Sequence, residues 1–272
     1  MTPKDLRNRL HSGQTVIGTL IVSTSPRWPD AVRNCGLDFV FIDTEHIAMD
    51  RAQLSWMCQA YSAMGLPPLV RIPSPDPYAA TMVLDGGAAG VIAPYVESAD
   101  QVQALRGAVK SRPIKGIRLQ EMLDGKPVEP ELADYLQEAA SHRLLIVNVE
   151  SVPAIVALDK ILAVPDLDSV LIGPHDLTCS LGIPEQYDHP DFLAACKTIF
   201  SKARAAGVGA GIHFWGDAME QKRLLDLGAN FLIHSGDIML FQKHLKSDIV
   251  AIRQSLGLTM SESDQSKKED AI

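Results

Sequence analysis

Eight short apolar runs recur along the chain, each ending in polar or glycine-rich residues and most followed by a helical stretch, and this alternation restricts the fold more than any other feature. The runs are Thr15 to Val22, Phe39 to Ile42, Pro68 to Ile72, Gly90 to Pro94, Leu144 to Val149, Ser169 to Ile172, Gly209 to Ile212 and Asn230 to His234. Continuous apolar runs suit parallel strands covered on both faces. Eight such units in 272 residues predict an α/β chain folded as a (β/α)8 TIM barrel, one domain over residues 1–257. The competing open, doubly wound sheet favours a glycine-rich turn after its first strand, and GTLIVSTS has none. Helical spacing is predicted at 2–12, 28–34, 52–64, 78–84, 98–111, 130–140, 152–163, 190–206, 216–227 and 238–256. Residues 112–130 break the pattern with three prolines and two glycines, and read as a lid or interface loop. Residues 258–272 read as a disordered polar tail.

The formal charge of −8 argues against nucleic acid or an anionic membrane as the main partner, since both repel such a surface. Cys35, Cys58, Cys179 and Cys196 form no CxxC pair and read as reduced thiols. No apolar stretch approaches the roughly 20 residues of a membrane span, and MTPKDLRNRL lacks the apolar run of a signal peptide. The expectation is a soluble, cytoplasmic protein with a small-molecule ligand.

Strand ends are where such a fold places its chemistry. The second run delivers Asp43, Glu45 and His46 at its end. Taken alone, a helix cap at Asp43 and a surface imidazole at His46 explain them as well as catalysis does. Glu150 and Asp176 follow the fifth and sixth runs 26 residues apart, about one βα repeat. Either alone is an ordinary helix cap; together they suit a hard divalent cation such as Mg²⁺ or Mn²⁺. Arg71 ends the third run, where it can bind a carboxylate, stabilise an enolate oxygen, or pair with Asp43 or Glu45. Carboxylates, arginine and histidine together fit proton transfer and C–C bond chemistry beside a carbonyl. His213, His234 and Trp215 lie near the last strand ends, with packing and pocket roles both open. His11, His142, His189 and His244 read as surface residues.

Asp43-Thr44-Glu45-His46, Val70-Arg71-Ile72-Pro73, Leu84-Asp85-Gly86, Val149-Glu150-Ser151 and Ile172-Gly173-Pro174-His175-Asp176-Leu177 together resemble the HpcH/HpaI aldolase family, over about residues 4–257. The resemblance implies a class II, metal-dependent pyruvate aldolase that cleaves a 4-hydroxy-2-oxo acid, such as 4-hydroxy-2-oxoheptanedioate, to pyruvate and an aldehyde through a metal-bound enolate. It implies Glu150 and Asp176 as ligands of Mg²⁺ or Mn²⁺, with Co²⁺ a third candidate. It also implies that Arg71 contacts the keto oxygen, that His46 and Asp85 form the acid/base dyad, and that Asp43 supports them. Gly173, Pro174, His175 and Asp176 would hold the substrate carboxylate. A homo-oligomer, hexameric or a trimer of dimers, with its C-terminal helix exchanged between subunits, is implied as well. Asp85 precedes the fourth strand, at the opposite end from His46, so the dyad is expected to form with the His46 of a neighbouring subunit.

The chain departs from the family pattern at Leu20, where tryptophan is common, at His175, where a small residue is common, at Gly116-Ile117-Arg118-Leu119, and at Asn148 near Glu150. The Asp-Thr-Glu-His form is similar to that of macrophomate synthase, which implies oxaloacetate decarboxylation through the same enolate as the alternative activity. A non-catalytic barrel binding a 2-oxo acid has no need of His46, Arg71, Glu150 and Asp176 together.

Overall fold

A computed structural model describes residues 1–258. Its first half comprises α1 (Pro3–Ser12), β1 (Val16–Ile21), α2 (Trp28–Val32), β2 (Phe39–Asp43), α3 (Arg51–Ala63), β3 (Pro68–Arg71), α4 (Pro77–Asp85) and β4 (Gly90–Ala93). There follow α5 (Ala99–Lys110), α6 (Gly116–Leu123), α7 (Pro130–Ser141), β5 (Leu144–Asn148), α8 (Val152–Leu162), β6 (Ser169–Ile172), α9 (Pro174–Ser180), α10 (Pro190–Ala205), β7 (Gly209–Phe214), α11 (Ala218–Asp226), β8 (Phe231–Gly236) and α12 (Asp237–Ser255). All eight strands pair in parallel with their sequence neighbours, and β8 returns to β1 with Val16 opposite Phe231. The barrel is closed, as the alternation predicts. The tail expected at 258–272 lies, beyond Leu258, outside the described residues.

Strand residues alternate between two cores. Phe39, Phe41, Leu69, Ile92, Leu144, Ile146, Leu171, Phe231 and Ile233 fill the barrel interior, whereas Val40, Ile42, Val70, Val91, Val147 and Val170 pack against the helices. The Phe39 and Phe231 rings meet at 4.9 Å, and interior glycines make room for them: a Cβ at Gly18 would lie 2.4 Å from the Phe39 ring. Helix α1 starts at a capping box of Thr2 and Asp5, with Pro3 in its first turn, and closes the bottom of the barrel with Leu6 and Leu10.

Below the strands, fully buried Asp168 binds α1 and α5 to the sheet. It accepts from Lys110 Nζ at 2.5 Å, Arg7 Nε at 2.7 Å and the Leu145 N–H at 2.7 Å, and lies 3.0 Å from His11 Nε2. His11, expected at the surface, is partly exposed there and also ties α1 to Asp168 and to the Gly207 carbonyl.

Three local expectations change. Residues 116–123 form α6, whose Leu119 and Leu123 pack beside Gly107 of α5. Met122 and Val128 line a cleft with Lys4, Arg7 and Lys110, so this segment lies toward the bottom of the barrel and is not a lid over the strand ends. Its flanking prolines and glycines hid one short helix. Residues 174–180 form the additional helix α9. Strand β7 runs past Ile212 because pairing continues through His213 with Ile233 and Phe214 with His234, and β8 runs past His234 because Gly236 pairs with Leu20 of β1.

Candidate active site

The inward alternation carries the polar residues to the C-terminal mouth. After Phe39 and Phe41 the next inward position on β2 is Asp43; after Leu69 on β3 it is Arg71; after Ile146 on β5 it is Asn148, and then Glu150. Asp43 and Arg71 face one another directly in the β2–β3 register. Arg71 donates through Nε to Asp43 Oδ1 at 2.8 Å and through Nη2 to Asp43 Oδ2 at 2.6 Å. Against the opposing effect of burial, this guanidinium holds the Asp43 carboxyl below the usual carboxylate range. No protein acceptor among the described residues takes the Nη1 hydrogens of Arg71.

Glu45 also approaches Arg71, with Oε2 3.1 Å from Nε, buried and without a hydrogen bond, and its Oε1 lies 3.7 Å from His46 Nε2. The Tyr95 hydroxyl faces the same carboxylate. Hydrogen bonding and the charge of Glu45, with Asp176 and Glu150 behind it, push the phenol up to about 12. His46 itself is half exposed at the rim.

Across the mouth, Glu150 accepts the Tyr95 N–H through Oε1 and the Asn148 side-chain amide through Oε2, each at 2.8 Å. Tyr95 follows β4 with φ 56°, a left-handed backbone that turns its N–H toward Glu150. Asp176, in the first turn of α9, accepts no hydrogen bond among the described residues. A methyl group at Gly173 would lie 2.8 Å from Glu150 Oε2 and 3.3 Å from Asp176 Oδ2, so the two carboxylates converge on one glycine. Burial raises the Glu150 carboxyl above its usual range, and the charges of Asp176 and Glu45 add to it against the two hydrogen bonds. Two oxygen donors with uncompensated charge fit a hard divalent cation. Among the described residues no three His, Cys, Asp or Glu side chains form a metal-holding group, so such a cation would draw its remaining ligands from water and substrate.

Between these two sides lies a cavity of about 270 Å³ whose walls include Phe41, His46, Arg71, Asp176, His213 and Trp215. It is small enough to select small ligands. His213 is inward on β7, and its Nε2 donates to the Ser235 carbonyl at 2.9 Å. His234, one position out of phase, points outward instead: its Nδ1 accepts from Gln221 Nε2 at 2.9 Å, in a groove between the helices. Strand parity excludes His234 from the mouth.

Asp85 does not join this group within the chain. It ends α4 and pairs with Arg112 at the bottom of the barrel. Tyr95 and Ser235 are not among the residues the sequence singles out, and the resemblance assigns no role to Glu45. The signal for Glu45 was its charge beside His46; a non-glycine residue with positive φ has no comparable sequence mark.

Residues 17–243 match the HpcH/HpaI aldolase/citrate lyase family. The chain is 31% identical to the 2-keto-3-deoxy-L-rhamnonate aldolase of Salmonella gallinarum, over 90% of this chain and 91% of that protein. It is 31% identical to the hydroxypyruvate/pyruvate aldolase of Agrobacterium fabrum, over 89% of this chain and 90% of that one. Among solved structures it is similar to an HpcH/HpaI aldolase from Desulfitobacterium hafniense, with a TM-score of 0.79 and 28% identity, covering 91% of this chain and 96% of that chain. No helix among the described residues is long and apolar enough to cross a membrane.

Proposed function

The chain belongs to the HpcH/HpaI aldolase/citrate lyase family, and from that membership we propose that it is a carbon–carbon lyase that cleaves a 4-hydroxy-2-oxo acid to pyruvate and an aldehyde, reversibly. The observation that carries this reading is Arg71, pinned by Asp43 on one edge and left with free Nη1 hydrogens on a cavity shared with Asp176. A guanidinium so fixed is placed to stabilise an oxygen that gains charge as an adjacent carbanion forms. The names of the relatives, 2-keto-3-deoxy-L-rhamnonate aldolase and hydroxypyruvate/pyruvate aldolase, support the same substrate class.

Glu150 and Asp176 are the residues that would hold a divalent cation, Mg²⁺ or Mn²⁺ with Co²⁺ as a further candidate. When bound there, the cation supplies Lewis-acid polarisation of the keto group. The turn Gly173-Pro174-His175-Asp176 offers first-turn N–H groups with no helical acceptor, which suit the carboxylate of the 2-oxo acid. Arg71 holds the keto oxygen, and Asp43 fixes the guanidinium. His46 at the rim takes and returns the proton through water. Asp85 reaches it from a neighbouring subunit. In support of such an assembly, α12 exposes Ile238, Phe241, Leu245, Ile249 and Ile252 beside an apolar groove lined by Trp28, Leu37, Leu225 and Phe241. Exchange of α12 between subunits of a homo-oligomer, a hexamer or trimer of dimers, would cover both.

The test is release of pyruvate from a panel of 4-hydroxy-2-oxo acids with Mg²⁺ or Mn²⁺, with and without chelator. Metal-dependent release is expected, and turnover that ignores the chelator overturns the metal assignment. Mixing inactive His46→Ala and Asp85→Ala proteins should restore activity by complementation; failure to do so removes the shared dyad.

A further inference from the structure

One polar group in the cavity has both its direction and its hydrogen position fixed. His213 reaches the cavity from β7, and Phe41 and Trp215 stand edge-on to its ring, with centroids 5.6 and 6.4 Å away. A carbonyl can only accept, so the bond to Ser235 places the imidazole hydrogen on Nε2. Ser235 has φ 49°, a left-handed conformation uncommon for any residue but glycine, and it aims that carbonyl. Nδ1 is left as a lone-pair acceptor without a protein partner among the described residues. Burial, and after it the neighbouring charge of Arg71, lowers His213 to about 4, against the pull of the Ser235 bond, so the ring is neutral at physiological pH.

The surroundings of this acceptor are selective. Phe41, Leu171 and Trp215 are apolar, and Arg71 is the one arginine or lysine on the cavity among the described residues. Arg71 is taken up by Asp43 and, on the aldolase reading, by the 2-oxo acid. A carboxylate-terminated aldehyde would find no second guanidinium or ammonium group among the lining residues and would face a lone pair. A plain aliphatic aldehyde would leave Nδ1 dry and unpaired, a penalty that falls on the wrong substrate. We propose that His213 is a specificity-determining residue that accepts a hydrogen bond from a hydroxyl on the aldehyde, so that the enzyme uses short hydroxyaldehydes in preference to aliphatic or carboxylate-terminated ones. This inference rests on the aldolase reading above, and the cavity of about 270 Å³ keeps the aldehyde to a few carbons.

The experiment measures kcat/KM for glycolaldehyde, acetaldehyde and succinic semialdehyde with pyruvate and Mg²⁺, in the wild type, His213→Leu and His213→Gln. Exchange of the pyruvate methyl hydrogens for deuterium without aldehyde is followed alongside. The glycolaldehyde-to-acetaldehyde ratio should fall roughly tenfold in His213→Leu and be largely kept in His213→Gln, where an acceptor remains. Comparing ratios cancels both any misfolded fraction and the intrinsic reactivities of the aldehydes. A ratio unchanged in His213→Leu, or a wild type that prefers succinic semialdehyde, overturns the inference while deuterium exchange leaves the aldolase reading standing. A wild type that exchanges no deuterium overturns both.

Discussion

Asp43 and Arg71 sit opposite each other on adjacent strands and share two parallel hydrogen bonds, at 2.8 and 2.6 Å. The pair is buried and bidentate, so it fixes the guanidinium plane before any substrate arrives.

Asp43→Asn should therefore cost twice over. Losing the carboxylate leaves Arg71 charged and poorly matched in a buried site, which costs about 3 kcal/mol of stability. Turnover should drop about 100-fold through misplacement of the guanidinium. Urea unfolding and steady-state kinetics check this, and a variant with wild-type turnover would release Asp43 from its supporting role.

Glu45→Gln tests the carboxylate 3.7 Å from His46 Nε2. Its removal should lower kcat by roughly tenfold, with the KM for pyruvate little changed, because the group touches the proton-transferring side and not the carboxylate-binding turn. A change confined to KM would instead place Glu45 in substrate binding.

The barrel and the charged residues of its mouth were legible in the sequence for a common reason. An apolar run followed by charge states both that a strand is buried and where it ends, so Asp43, Arg71, Glu150 and Asp176 could be assigned to one rim. Strand parity, which separates His213 from His234, needs the exact strand ends, and the pairing beyond Ile212 was not visible in the local pattern. Tyr95 and Ser235 bend the chain through left-handed conformations held by surrounding contacts. Propensity reads such residues as ordinary strand ends. Helix α6 was hidden by Pro113, Gly116, Gly125 and Pro127 at its borders.

His213 predicts a pH dependence of stability. Burial lowers its folded-state value to about 4 from an ordinary 6.5, so below 6.5 the unfolded chain binds a proton that the folded chain refuses. This contribution is fully present above pH 6.5 and is lost as pH falls toward 4. Thermal melts across that window should show the wild type losing more stability than His213→Leu; parallel curves would mean that the imidazole titrates freely in the fold.

Asp168 predicts a second, more acidic loss. Although burial opposes its charge, Lys110, His11 and Arg7 hold this carboxyl below the usual range. Its contribution is present above about pH 4 and is lost as pH falls through the folded-state value. Asp168→Asn should unfold about 3 kcal/mol more easily at neutral pH, since Lys110 is left buried without a counter-charge. Equal stability of variant and wild type at neutral pH would show that the cluster adds nothing net.

Gly173 carries a consequence for the variation tolerated among related chains. Any side chain there would press on Oε2 of Glu150, a carboxylate held by one hydrogen bond on each oxygen, and on Asp176 Oδ2. Substitution of this glycine should leave the barrel intact while displacing one carboxylate from the other. In lineages that abandon the chemistry, the glycine and the glutamate are then released from selection together, and a homologue retaining Glu150 without the glycine should be rare.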